Sequence, residues 1–417
     1  MKSTQEYDWI IVGGGIAGIS IAEILSREGH TILMLEKNNQ IASETSKVFH
    51  EWLHSGSLYS LVPDNNRTLR YLLGAMDDLF DYYENYNGMN IRKSQSGIKF
   101  DQDHGWFNDD FIEYRYRIRK FNPIWAALVS KSIYMINIIS NHDWLRRHAG
   151  GSEIARKKIG IYRTIEYISS QYVSSKQFYS IKSPDFTMNS RVLINDLLSS
   201  ALEGGLSVIT NKNVETIESK GKTNVVRTQD DVFTSRNVVI CSPDAISTLY
   251  NLSITHGYAP MAIVDNVPEN EKSFVELDYN TRKCINLLKK ADGIGQIGGT
   301  TVKKMSDVKP YLNYLVNEHK KRNPSLNVID DYVGIKKELN DNNQNRNYLY
   351  HINQHGSNIW SVVLGKFTLA FSMAPEFYRR VYSRNPSNLI PNISSNFIGS
   401  ELVSKTSWKE IAENKRI

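Results

Sequence analysis

The apolar and polar residues of the first forty positions follow a strand, helix, strand order. Trp9-Ile10-Ile11-Val12 is a short β-branched run that stops at glycine, as a strand buried on both faces does. From Ile16 to Arg27, Ile16, Ile19, Ala22, Ile24 and Leu25 recur at helical spacing, and Gly29 stands where a helix C-terminal glycine belongs. Thr31 to Leu35 reads as a second strand. Residues 66–86 read as a helix, with Leu69, Leu72, Leu73, Met76, Leu79 and Phe80 on one face. A helix from Arg191 to Leu202 precedes strands at Leu206–Thr210, Val214–Ile217 and Asn237–Cys241. Residues 90–185, rich in Tyr, Trp, Ile and Arg, show mixed periodicity, and residues 255–330 read as strands plus one amphipathic helix. The Ser/Asn-rich tail after Tyr382 is expected to be partly disordered.

A chain of 417 residues, 41% apolar, is long enough for two or three lobes around sizeable cores. The net charge of +6, from 50 basic and 44 acidic residues, is a weak bias that permits an anionic substrate or an acidic partner. Nucleic-acid binding is not expected: the short basic run Arg115 to Lys120 reads as a solvated helix face. Two cysteines, Cys241 and Cys284, make no disulfide framework, and a cytoplasmic location is expected. The apolar run from Trp9 is broken by glycines and Glu23, unlike a signal peptide. The best membrane candidate, Phe121 to Ile139, carries Asn122, Lys131 and Asn137. It is better read as a buried or amphipathic helix, so no transmembrane segment is expected.

Gly13-Gly14-Gly15-Ile16-Ala17-Gly18 fits the G-x-G-x-x-G pattern. Gly13 permits the tight turn out of the strand, Gly15 lets backbone approach a pyrophosphate, and Gly18 lets helix and strand pack closely. The helix start at Ile16 and Ala17 offers N–H groups and a partial positive charge to phosphates. Glu36, followed by Lys37, closes the second strand and can accept hydrogen bonds from a ribose diol. Strand, turn, helix, strand and acid together predict a dinucleotide site. A second literal match, Gly293 to Gly298, is rejected. Lys289, Lys290 and Asp292 precede it in place of a buried strand, and it reads as a strand with a hairpin at Gly298-Gly299.

The motif alone does not separate FAD from NAD. Thr45-Ser46, then seven residues, then His54-Ser55-Gly56-Ser57-Leu58-Tyr59, resembles the second cofactor-loop motif of the glycerol-phosphate dehydrogenases. Gly365-Lys366-Phe367-Thr368, with Met373-Ala374 beyond, is similar to that family's C-terminal element, and Gly334-Ile335-Lys336 resembles the G-x-R element upstream. Val214 looks like the position whose backbone meets the adenine. The chain therefore resembles FAD-dependent oxidoreductases of the D-amino-acid-oxidase (DAO) and glycerol-phosphate-dehydrogenase type.

That resemblance implies an α/β fold. A Rossmann-like, doubly wound FAD-binding domain is expected from residues 1–89, 186–250 and 332–382. A substrate domain of mixed β-sheet plus helices is expected from 90–185 and 251–331, with 383–417 as a C-terminal tail. The implied cofactor is FAD, and no metal site is expected. Lys366 and the helix start after it would stabilise negative charge on the reduced flavin ring.

The departures bear on the substrate. Where the family's arginines help to bind phosphate, this chain has Leu58, Phe371 and Lys336. Lysine does not replace a bidentate guanidinium fork, so glycerol phosphate is not the expected substrate. Lys336 can still hold one carboxylate. His54 is the first candidate for a proton-handling residue, with a structural histidine under the flavin as the plain alternative. His50 is offset from the position where some relatives attach flavin covalently. Tyr59, Tyr348, Tyr350 and His351 are candidate pocket walls. Cys241-Ser242-Pro243-Asp244-Ala245 departs from the glycine-bearing turn of the DAO group and looks more like the amine-oxidase and desaturase flavoproteins.

The expected reaction is hydride removal from a C–H beside an amine or hydroxyl of a small molecule. Oxygen, a quinone or a carrier protein would take the electrons, since no second nucleotide fingerprint serves NAD(P). Two rivals remain: a flavin-dependent amine oxidase or desaturase of a larger natural product, and a flavoprotein that holds FAD structurally in a complex, as in RNA modification.

Overall fold

A computed structural model of the chain describes residues 6–59, 67–94, 97–101, 105–117, 173–174, 178–278, 283–339, 349–390 and 397–415. They form two large sheets with helices packed mainly on the first.

The first sheet has eight strands. Its centre is β1 (Glu6–Val12), flanked in parallel by β2 (Ile32–Leu35) and β12 (Val232–Ile240). Beyond β2 lies β9 (Leu206–Ile209), also parallel. The antiparallel strands β10 (Val214–Lys220) and β11 (Thr223–Thr228) continue past β12. The second half of β12 pairs in parallel with β19 (Ile359–Leu364), which pairs antiparallel with β18 (Tyr350–Gln354). Trp9, Ile10 and Ile11 are fully buried, which is why the run carries no polar alternation. One face of the sheet is covered by α1 (Ile16–Arg27), α3 (Arg67–Tyr83), α4 (Ser190–Glu203) and α7 (Ala370–Tyr382). The other packs on α5 (Pro243–Tyr250).

The second sheet has nine strands. Its path runs β17 (Asn327–Leu339), β13 (Ile254–Asp265), β16 (Gly295–Gly299), β15 (Lys283–Lys289), β14 (Phe274–Asp278), β6 (Phe107–Arg117), β8 (Phe178–Met188), β3 (Trp52–Leu53). The short β7 (Val173–Ser174) pairs with β8, and β4 (Ile91–Ser94) with β5 (Gly97–Phe100) forms a separate hairpin. The helix α6 (Val308–Lys320) packs on this sheet, and the single turn α2 (Thr45–Val48) lies beside β17. Mixed sheets, a parallel core and covering helices make the fold α/β, with the doubly wound and mixed-sheet parts expected.

Several details differ from the sequence expectations. Within the segment 332–382 assigned to the cofactor side, β18, β19 and α7 lie with the first sheet, but β17 is an edge strand of the second. Likewise β3, inside 1–89, pairs with β8. Both are short or amphipathic segments whose pairing partners lie far away in sequence. The tail is ordered where described: α8 (Ser407–Lys415) follows a stretch pinned by Ser404 Oγ donating to Ala42 O (2.8 Å), and Trp408 Nε1 donates to buried Glu51 (2.7 Å). Its Ser/Asn composition hides these few anchoring side chains. Arg115 and Arg117 sit on β6, not a helix. They pair with Glu113 and Glu271, and with Glu276 and Glu318. The hairpin near Gly298 lies instead at Ala291–Ile294, between β15 and β16, where Gly293 takes φ +70° and no helix opens. Phe121–Ile139 and Tyr348 lie outside the described residues.

Candidate active site

A single continuous cavity of about 830 Å³ runs between the carboxyl ends of β1 and β2 and the second sheet. Ligands of open parallel sheets bind at this kind of place. At one end the backbone shapes it. Gly13 turns out of β1 with φ +104°. A Cβ on Gly18 would stand 2.1 Å from Gly13 O, so only glycine lets α1 pack this close. A Cβ on Gly15 would meet only Ser46 Oγ, at 3.5 Å, so this position is open to the cavity. The first turn of α1 has no side-chain cap of its own; Ile16 N–H donates to Ser46 Oγ (3.1 Å) from the next loop. This cradle fits a pyrophosphate. Buried Glu36 accepts Gly14 N–H on Oε2 (2.8 Å) and the Asn38 N–H and Nδ2 on Oε1 (2.9 Å each). The carboxylate thus fixes the glycine loop, with lone pairs left over for a ribose.

At the rim of this end, four charged side chains close a ring. Lys37 pairs with Glu44 (2.6 Å) and Asp244 (3.0 Å), and Lys337 of β17 pairs with the same two acids (3.0 and 2.6 Å). Asp244, in the first turn of α5, therefore faces lysines across the cleft and ties the second sheet to the first.

Side chains shape the other end. The His54 imidazole lies on Trp52 (centroids 4.0 Å apart, 28° between planes), and its backbone N–H donates to Thr368 Oγ1 (2.9 Å). Burial, reinforced by the positive Lys366 and Lys336, holds its pKa well below the usual histidine value, so the ring is neutral. His50 lies against Gly298 and is pushed down to about 3 by burial and by Lys290. The Lys366 ammonium stands 4.7 Å from the Tyr59 ring centroid. Lys336 pairs with Glu338, two residues along the same face of β17. Leu277, Met261, Met188 and Leu364 supply apolar wall, and Asn286, Thr300 and Thr301 supply polar wall.

The cavity gathers Gly13, Gly15, Ile16, Ala17, Glu36, Lys37, Thr45, Ser46, Val214, Gly365, Lys366 and Phe367 with His54, Lys336 and Tyr59. Gly18 and Thr368 stand one layer behind, under Gly13 and His54. Tyr350 is not a wall: it is buried in the core beside Tyr71, and His351 is not on the lining either. Leu58 lines the cavity where the family's arginine would stand, whereas Phe371 is buried against Tyr83 and Trp106. Sequence reading missed Trp52, Asp185, Met261 and Asn286, which converge from four strands and carry no local motif. Among the described residues, no group of His, Cys, Asp and Glu is placed to hold a metal, and no helix is long and apolar enough to cross a membrane.

The family described as FAD dependent oxidoreductase (DAO) matches residues 8–252. Among solved structures, L-α-glycerophosphate oxidase from Mycoplasma pneumoniae with FAD bound is similar at 17% identity, over 93% of this chain and 97% of that one, with TM-score 0.62. An L-amino acid deaminase from Proteus vulgaris is similar at 14% identity, over 92% and 91%, TM-score 0.62. Glycine oxidase from Geobacillus kaustophilus is similar at 14% identity, over 94% and 100%, TM-score 0.60. At these identities the likeness is one of fold.

Proposed function

The chain belongs to the FAD-dependent oxidoreductases of the DAO family, and within that family we propose that it oxidises a C–H beside the amine or hydroxyl of a small carboxylated molecule, an amino acid or hydroxy acid. The observation that supports this reading most is the single cavity in which a glycine-lined cradle at one end meets Lys336, Lys366 and a neutral His54 at the other.

Bound FAD would supply the two-electron acceptor. Gly13, Gly15, Ile16 and Ala17 would hold its pyrophosphate, Glu36 its ribose and Val214 its adenine, with Thr45 and Ser46 along the loop. Lys366 and the start of the helical segment at Phe367 would offset negative charge near the ring, and Thr368 would act through His54. Lys336 would exchange Glu338 for the substrate carboxylate. His54, neutral as folded, would take the proton from the substrate amine or hydroxyl. Among the described residues, Leu58 and the apolar walls offer no guanidinium fork for a phosphate, which argues against glycerol phosphate. Two of the fold relatives are an L-amino acid deaminase and a glycine oxidase, which supports the amino-acid choice.

The test is an anaerobic screen of amino acids, hydroxy acids, amines and glycerol phosphate against the holoprotein, read as bleaching of the flavin absorbance. Bleaching by a carboxylated substrate, weakened more in Lys336→Ala than in Lys336→Arg, is expected. Rapid bleaching by glycerol phosphate alone would overturn the substrate class.

A further inference from the structure

We propose that Asp185 is the positioning residue for His54: it fixes the imidazole plane through Trp52 and holds the ring proton on Nδ1, so that the Nε2 lone pair faces the cavity. The inference rests on the proton-handling role given to His54 above.

Asp185 is fully buried on β8. The pairing of β8 with β6 slips there, between Phe111 opposite Phe186 and Glu113 opposite Lys182. Strict alternation breaks, and Asp185, Phe186, Thr187 and Met188 are all buried in succession. An irregularity that turns a carboxylate inward needs compensation, and the surroundings provide it. Trp52 Nε1 donates to Oδ2 (2.7 Å), Ser55 N–H and Oγ donate to Oδ1 (2.8 and 2.5 Å), and Tyr114 OH donates to Oδ2. Two of these donors, an indole and a backbone amide, cannot turn round to accept, so the set addresses an anion.

His54 Nδ1 lies 3.7 Å from Asp185 Oδ2, is buried, and has no hydrogen-bond partner among the described residues. The imidazole keeps 13% of its side-chain surface, and that surface opens on the cavity. Behind the ring, the carboxylate attracts an N–H dipole on Nδ1. Lys336 and Lys366, which line the same cavity, disfavour a second proton that would make the ring a cation. The same logic places an acid behind the histidine of hydrolytic triads. The indole that stacks on His54 is itself held by Asp185, so one carboxylate sets ring plane and proton position together.

The experiment uses FAD-loaded protein labelled with ¹⁵N-histidine, with the His54 resonances assigned by their loss in His54→Gln. In the wild type, the His54 pair should show a protonated Nδ1 and a pyridine-like Nε2. In Asp185→Asn, with flavin content and circular dichroism retained, the pair should shift toward the opposite tautomer, and Asp185→Glu should shift it back. In Trp52→Phe, which keeps the carboxylate, the Nδ1 proton should stay. A wild-type His54 protonated on Nε2 overturns the proposal, whether or not the Asn variant folds. So does a folded Asp185→Asn protein with the wild-type tautomer. No substrate enters the measurement. Failure of the proton-handling role would appear separately, as undiminished flavin reduction in His54→Gln with a substrate found in the screen.

Discussion

The two ends of the cavity, one proposed above to hold the nucleotide and the other the substrate, are built on different principles. The nucleotide end comes largely from residues 12–46, consecutive in sequence, and works through backbone: a turn at Gly13, an open Gly15, and helix N–H groups. Glu36, buried beside the cavity, accepts three hydrogen bonds from the loop around it. The substrate end is assembled from β3, β8, β13, β15, β16 and β17, and works through side chains. Among the described residues, His54 Nδ1 is buried there without a hydrogen-bond partner, and His50 leans on the Asn286 side chain. Buried polar atoms are ordinarily paired, so an unpaired ring nitrogen at this end points to a role beyond stability. The first end specifies a scaffold and the second a task.

The sharpest way to break this contrast is at two glycines. Gly18→Ala places a methyl 2.1 Å from a backbone carbonyl that cannot move without shifting the β1–α1 packing. Soluble, flavin-bearing protein should be lost. Gly15→Ala meets only a hydroxyl at ordinary contact distance. It should fold with an unchanged apoprotein Tm and lose flavin, because the methyl enters the cavity. The measurements are the flavin-to-protein absorbance ratio and the apoprotein melting curve. Full flavin retention in Gly15→Ala would show that the cradle holds something else.

A second test uses acid. Burial pushes His50 and His319 down to about 3, and both belong to the substrate half. His319 stands against Phe274 of β14 and bonds the Asn286 backbone. His30 and His355 of the cofactor half are lowered by burial too, but less far. A histidine whose folded pKa lies below its unfolded value stabilises the fold fully above about pH 6.5. That contribution is lost as pH falls, at about 1.4 kcal/mol per pH unit for each such group, until its folded pKa is reached. The substrate half should therefore open first in acid, with His319→Gln flattening the fall of Tm. Hydrogen exchange resolved by peptide would show which half opens, and earlier opening of β1, β2 and β9 would contradict the contrast.

Legibility follows the same line. Glycine spacing is dictated by geometry that only glycine satisfies, so Gly13, Gly15 and Gly18 announce the cradle, and the buried run at Trp9 to Val12 announces its strand. Asp185 announces nothing, because its meaning depends on Trp52, Ser55 and Tyr114, brought to it by antiparallel pairing from 71 to 133 residues away. Tyr350 misled for the opposite reason: aromatic residues in a strand are usually core, as this one is. Glu36 lies between these cases, legible in position but not in its full duty. Glu36→Ala should weaken FAD binding by about 1.5–3 kcal/mol, the range for hydrogen bonds to a charged group. Since Glu36 also accepts the Gly14 and Asn38 donors, the apoprotein Tm should fall as well. An unchanged FAD affinity beside a lowered Tm would make Glu36 a loop residue alone.

The smallest expected effect lies at the rim, where the two halves meet. The ring of Lys37, Glu44, Lys337 and Asp244 crosses the mouth of the cavity from β17 to the cofactor loops, with N···O separations of 2.6 to 3.0 Å. Glu44 and Asp244 keep about 40% of their side-chain surface, so water screens them. Exposed pairs of this kind contribute at most about 1 kcal/mol, even with good geometry. Each acid is shared by two lysines, so removing one acid loosens both lysines at once. Asp244→Asn should leave fold and flavin content intact and speed FAD release roughly fivefold, the rate factor for about 1 kcal/mol. Salt should act the same way on the wild type, because the Debye length shrinks from about 10 Å at 0.1 M to about 3 Å at 1 M. The variant should respond less to salt than the wild type, since part of what salt weakens is already gone. Release is followed as the rise of free-flavin fluorescence after dilution into a flavin scavenger. A wild-type release rate that does not change with salt would mean the ring is decoration, and that the glycine cradle alone retains the cofactor.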